Sequence, residues 1–215
     1  MKENDVILKR QSTQIFFKNG DTDFFFNCLL GIGEIFGFSH GELYYLAQRL
    51  GNSPKPDDWK NVFLSHVNYL EQEASNSGLS EQTKAQYYLA QTYSLRSAIQ
   101  FTDPFSDEYL PTVRQMEKVF SSAIHSLGAP IEKLTIPYQG SYLPGYYLHS
   151  GDNCPTLIMI GGGDTYREDL FYFAGYPGWI RNYNVLMVDL PGQGSNPSRG
   201  LVFDVDASIP ISLCI

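Results

Sequence analysis

Two short runs of uninterrupted apolar residues constrain this chain more than any other feature. Pro155-Thr-Leu-Ile-Met-Ile160 and Asn184-Val-Leu-Met-Val-Asp189 are short for a helix and too continuous for a strand with one wet face. Such runs predict strands covered on both faces. Each run ends in a glycine-bearing bend: Gly161-Gly162-Gly163-Asp164-Thr165 after the first, Asp189-Leu190-Pro191-Gly192-Gln193-Gly194-Ser195 after the second. Between them, Glu168–Tyr183 has helical character, interrupted by Gly175, Pro177 and Gly178. Strand, helix, strand reads as a right-handed βαβ unit with a parallel sheet. Both bends then lie at the carboxyl ends of parallel strands, where open α/β sheets hold their ligands.

Upstream of the sheet the period changes. Ile131–Tyr138 alternates, Gln139-Gly140-Ser141 supplies a turn, and Tyr142–His149 returns, which predicts an antiparallel hairpin. Before Pro130 the spacing is helical. The apolar stretch from Asp23 to Phe36 reads as a buried helix, weakened by Gly31 and Gly33. Ser39 and Glu42 form a capping box for a helix over Gly41–Leu50 that Gly51 ends. Asp57 or Asp58 opens the next helix, Ser80 caps another, and Pro111 sits in the first turn of the last, which Gly128-Ala-Pro130 closes. The expected division is a helical, cap-like region over 1–127 and an α/β region over 128–215.

Charge excludes one class of partner. The chain has 15 basic and 23 acidic side chains, and neither region carries a basic excess. Nucleic-acid binding needs a Lys/Arg surface that displaces counterions, so none is expected. No apolar run reaches the length that spans a bilayer, no apolar leader follows Met1, and the cytoplasm is the expected compartment. The three cysteines, Cys28, Cys154 and Cys214, form no CxxC, and no His/Asp/Glu cluster has ligand spacing. No metal and no cofactor are expected. A nucleotide site at Gly161–Gly163 lacks the Lys-Ser/Thr of a P-loop and the spacing of a dinucleotide bend.

The order of motifs resembles the α/β-hydrolase superfamily. There, a hairpin precedes a parallel strand, a glycine-rich oxyanion loop, a helix, and a strand ending in Asp-x-x-Gly-x-Gly. Those elements match Ile131–His149, Thr156–Ile160, Gly161–Gly163, Glu168–Tyr183, Val185–Val188 and Asp189–Gly194 here. The helical region in front resembles the branch that includes the FrsA-like esterases and 2,6-dihydroxypseudooxynicotine hydrolase. The resemblance implies an α/β fold: an all-helical N-terminal domain, then an incomplete hydrolase sheet of hairpin and parallel βαβ. It implies a small-molecule acyl substrate and an acyl ester, amide or C–C bond hydrolysis in the complete protein. Backbone N–H groups of Gly162, Gly163 and Asp164 are the candidate oxyanion donors. Asp189, Gly192 and Gly194 are expected to be structural, with Asp189 capping the turn after its strand.

The reactive half is missing from these residues. No G-x-S-x-G occurs; Gly192-Gln-Gly-Ser195-Asn is the nearest string, and no histidine follows His149. His40, His66, His125 and His149 all precede the sheet's catalytic edge and read as packing or surface residues. In this superfamily serine, acid and histidine follow the second bend. No catalytic residue is therefore expected in the chain, which should be inactive by itself. The apolar finish, Ile-Pro-Ile-Ser-Leu-Cys-Ile215, suggests a truncated reading frame whose last parallel strand lacks a neighbour. The rival reading is a non-catalytic helical module that binds a partner or forms a homodimer, with a vestigial α/β segment.

Overall fold

A computed structural model describes residues 14–33 and 37–214. Five helices come first: α1 (Gly20–Ile32), α2 (His40–Leu50), α3 (Pro56–Ala74), α4 (Glu81–Ala98) and α5 (Tyr109–Leu127). The end of the apolar stretch around α1, Glu34 to Phe36, lies outside the described residues, as does the segment before Gln14.

Local signals account for most helix ends. Ser39 Oγ accepts the N–H of Glu42 at 3.1 Å. The reciprocal half of the expected capping box is not made, because the Glu42 carboxylate reaches His66 Nε2 at 2.9 Å instead. Ser80 Oγ accepts from Thr83 N–H at 3.1 Å, and Gly128 ends α5 in the left-handed conformation at φ +65°. The third helix starts ahead of Asp57: Pro56 takes its first position, where the missing N–H does no harm, and the Asp58 carboxylate accepts the Lys55 N–H at 3.0 Å. The fourth helix is buried on nearly every side from Leu89 to Leu95, which explains its lack of a polar face.

The sheet follows: β1 (Ile131–Tyr138), β2 (Ser141–Leu148), β3 (Thr156–Ile160) and β4 (Asn184–Val188), in spatial order β1-β2-β4-β3. β1 and β2 form the antiparallel hairpin, joined through Gln139 and Gly140, both at positive φ as a tight primed turn requires. β3 and β4 are parallel. All five residues of β4 are buried, as its continuous apolar run predicts. β3 departs from expectation. It lies at the sheet edge, and Thr156 and Leu157 are exposed. An apolar run of five does not distinguish a central strand from an edge strand that is covered by a neighbour on one side only. The strand at the open edge is therefore the first of the parallel pair rather than the last.

The connection from β3 to β4 is helical without a break from Arg167 to Trp179: α6 (Arg167–Leu170), a π-helical turn (Phe171–Gly175) and α7 (Tyr176–Trp179). Gly175 and Gly178 do not break it. They bring it close to β4, since a Cβ at Gly175 would lie 2.7 Å from Met187 Sδ and one at Gly178 would lie 2.7 Å from Val185 Cγ2. A short 3₁₀ turn (Pro197–Arg199) and α8 (Ser208–Ser212) complete the described chain.

One apolar cluster runs from the helices into the sheet. It includes Phe17, Phe26, Trp59 and Phe120 from the helical side and Tyr146, Phe171, Val185 and Met187 from the sheet side. Phe120 is the hinge of that contact, with its ring 5.2 Å from Tyr146 and 5.4 Å from Phe171. Among the described residues no helix is long and apolar enough to cross a membrane.

Candidate active site

The two bends meet at the carboxyl ends of β3 and β4 and are tied by one side chain. Gln193 donates from Nε2 to the carbonyls of Gly161 and Gly162, each at 2.7 Å, while its Oε1 accepts the N–H of Leu190 at 2.7 Å. Asn196 completes the second bend by donating to the carbonyls of Asp189 and Leu190 at 2.9 and 2.8 Å. Neither amide was anticipated from the sequence. The available signal was that Gln193 is the long polar side chain between two glycines.

The first bend folds on itself. Gly162 N–H donates to Thr165 Oγ1 at 3.1 Å, so that donor is spent internally. Among the described residues, Gly163 and Asp164 donate to nothing. Both line a cavity of about 250 Å³ whose other walls include Arg96, Tyr109, Tyr166, Gly194 and Phe203. Of the candidate oxyanion donors, Gly163 and Asp164 thus share one cavity with unused N–H groups, and Gly162 does not.

Asp189 does not cap its own turn. Its Oδ1 accepts the backbone N–H of Arg167 and its Oδ2 the Arg167 Nη1, both at 2.7 Å. The sequence reading looked for its partner in the bend itself; the carboxylate instead accepts from Arg167 at the start of the neighbouring helix. Gly192 is pressed against the Phe203 ring, where a Cβ would come within 2.4 Å. Gly194 adopts φ +53° and faces the Asp189 carboxylate.

Arg167 is the centre of a buried charge cluster. Besides Asp189, it donates from Nη2 to Glu117 Oε1 at 2.6 Å, lies 3.4 Å from Glu168 Oε1, and stacks over the Tyr146 ring at 4.8 Å. Tyr146 donates its hydroxyl to Glu168 Oε1 at 2.7 Å, and Glu168 Oε2 has no partner among the described residues. One guanidinium therefore faces three carboxylates, two of them wholly buried. Burial pushes the Glu168 carboxyl up to about 7 and that of Asp189 up to about 6, only partly opposed by Arg167. A carboxyl raised on folding stabilises the fold in its protonated form, so this contribution is complete at low pH and lost as pH rises through about 7. We expect Glu168→Gln to flatten the fall in urea midpoint between pH 5 and pH 8. An unchanged slope would show that Glu168 titrates no differently in the folded chain.

The helical side closes over the bends through α4 and α5. Arg96 donates from Nε to Asp169 Oδ2 at 3.0 Å, from Nη1 to Gln100 Oε1 at 2.7 Å, and from Nη2 to the carbonyl of Asp164. Its guanidinium stacks on Tyr166 at 4.4 Å. Tyr109 donates to the carbonyl of Gly194 at 2.8 Å and accepts from the Tyr166 hydroxyl at 2.8 Å. Each bend is thus held by one side chain from the helices.

The four histidines lie elsewhere. His66 touches Ser94 Oγ and Glu42 Oε1, each at 2.9 Å, in the order of an acid–base–hydroxyl relay. Ser94 is fully buried and its hydroxyl bonds to the Ala90 carbonyl, so the hydroxyl end of this relay is closed off in the helix packing, and the Glu42 end alone lines a cavity, of about 270 Å³. His149 pairs with Asp152 at the surface, and His40 reaches the Leu30 carbonyl. His125 lies in the last turn of α5. Ser195 is buried and accepts from Arg199 Nη1 at 2.9 Å.

A helical layer over a sheet of this order, with glycine bends at the ends of its parallel strands, defines a hydrolase-type architecture. The comparisons agree. The hydrolyase ccsE of Aspergillus clavatus is 27% identical over 185 residues, which cover 77% of this chain and 42% of that protein. The α/β hydrolase ucsC of an Acremonium species is 27% identical over 161 residues, covering 64% of this chain and 32% of that protein. Among solved structures, AbyA5 superposes with a TM-score of 0.65 at 18% identity, over 90% of this chain and 50% of that one. The 2,6-dihydroxy-pseudo-oxynicotine hydrolase superposes with a TM-score of 0.59 at 22% identity, over 76% and 46%. No protein-family model matches the chain.

In fold the chain is like the α/β hydrolases that carry helices ahead of the sheet, and in sequence it is similar to hydrolases. It spans under half the length of the first curated relatives it matches.

Proposed function

We propose that this chain supplies the oxyanion loop and the helical roof of a serine hydrolase that cleaves an acyl ester, an amide or an activated C–C bond of a small molecule. The observation that carries the reading is the pair of unused N–H groups at Gly163 and Asp164, on the wall of a cavity roofed by α4 and α5. In such a reaction a serine oxygen adds to the substrate carbonyl, whose π electrons move onto oxygen. Backbone N–H groups fixed before the reaction stabilise that negative charge without reorganising. Arg96 and Gln193 hold the loop's carbonyls, which fixes the backbone that carries these amides.

The nucleophile, its base and the acid lie outside these residues in this reading, so the 215-residue chain alone does not turn substrate over. The helices share their core with the sheet, which favours a roof over an independent binding module. The test is hydrolysis of 4-nitrophenyl esters by the chain and by a longer protein carrying a downstream G-x-S-x-G. We expect turnover only from the longer protein, abolished there by Ser→Ala. Turnover by the 215-residue chain that a serine-directed phosphonate blocks would overturn the proposal.

A further inference from the structure

Behind the oxyanion loop lies a second chamber of about 180 Å³, lined by Phe24, Phe25, Trp59 and Phe173 together with Arg96 and Asp169. It adjoins the first cavity, because Arg96, Gln100, Asp164 and Thr165 line both. An apolar cavity of about 150 Å³ holds a benzene-sized group, so this pouch fits one ring. Its polar wall is asymmetric. Arg96 donates to Asp169, Gln100 and the Asp164 carbonyl and stacks on Tyr166, and its charge is already matched by Asp169. Asp169 is different. It is 5% exposed, and its Oδ2 accepts from Arg96 Nε and from Tyr166 N–H, each at 3.0 Å. Its Oδ1 is buried with no partner among the described residues. A buried carboxylate oxygen without a donor is costly, and a donor brought by a ligand removes that cost.

We propose that this pouch is the recognition subsite for an uncharged ring-sized apolar group bearing a hydrogen-bond donor, a hydroxyl or N–H, which Asp169 Oδ1 accepts. The aromatic walls supply the apolar contact, and the carboxylate selects the donor and repels anions. The inference deepens the hydrolase reading by naming the substrate class of its site, and it is tested by binding, independently of turnover.

The probe pair is 4-ethylphenol and 4-ethylanisole, which differ in the donor. Trp59 lines the pouch, and the chain has 2 tryptophans, so a Trp179→Phe background leaves Trp59 as sole reporter. We expect saturable quenching with the phenol binding about tenfold or more tighter than the anisole, as a hydrogen bond to a charged acceptor implies. Asp169→Asn must keep its oxygen toward Arg96 and Tyr166, which turns its NH₂ toward the pouch. The phenol preference should then vanish or reverse. Equal affinities in the Trp179→Phe chain, non-saturable quenching by both probes, or an unchanged preference in Asp169→Asn would overturn the subsite. If circular dichroism shows Asp169→Asn unfolded, the comparison in the Trp179→Phe chain still decides. A donor preference in a protein whose longer form hydrolyses nothing would sink the hydrolase reading alone; hydrolysis without the preference would sink the subsite alone.

Discussion

Arg167→Leu is expected to lose about 3–5 kcal/mol of stability in urea unfolding at pH 7, the magnitude that follows from stripping a buried carboxylate of its cation. The leucine fills much of the volume but leaves Asp189, Glu168 and Glu117 with no guanidinium between them. Asp189 also loses its Nη1 donor and keeps only the Arg167 backbone N–H, which the substitution does not touch. The remaining carboxyls then favour protonation more strongly than before. The loss should accordingly be larger at pH 8 than at pH 5, and this sign separates charge from packing. A deficit independent of pH would show that Arg167 matters through its contact with Tyr146 rather than through its charge.

Gly194→Ala is the second large effect, expected at about 2–5 kcal/mol from backbone strain and overpacking together. At φ +53° a non-glycine residue is disfavoured, and the new Cβ would sit 2.1 Å from Asp189 Oδ2. A surface carboxylate would swing away, but this one is clamped by two bonds from Arg167 and is 1% exposed. The bend must therefore shift, which disturbs the Tyr109 bond to the Gly194 carbonyl. Gly200→Ala is the internal control: it has φ +77° with nothing within 4 Å of its would-be Cβ, so it carries the backbone strain without the collision. Equal melting temperatures for the two variants would remove the collision from the account.

What the sequence made legible was local. Ser39, Ser80 and Gly128 mark helix ends through bonds to residues a turn away, and the Gln139-Gly140 turn sets the hairpin register. The parallel pair was readable because β3 and β4 are short apolar runs with a helical connection between them. The errors share a cause. Whether β3 lies inside the sheet or at its edge depends on which strand pairs beside it, and that information lies far along the chain. Gly175 and Gly178 read as interruptions because a sequence shows a missing side chain, not the methionine and valine that need the space. The site's supporting groups were invisible for the same reason. Arg96 finds Asp169 across 73 positions, and Tyr109 finds Gly194 across 85. Such pairings exist only once the helices have settled on the sheet.

Gln193 has a consequence for how this corner of the molecule moves. It grips the glycine loop with its nitrogen and its own bend with its oxygen, so neither segment can swing outward without breaking the two bonds that join them. The two segments behave as one stapled plate. Under the proposed reading, a molecule entering the cavity meets a loop backbone already fixed when the chain folded, and none of its binding energy is diverted into ordering it.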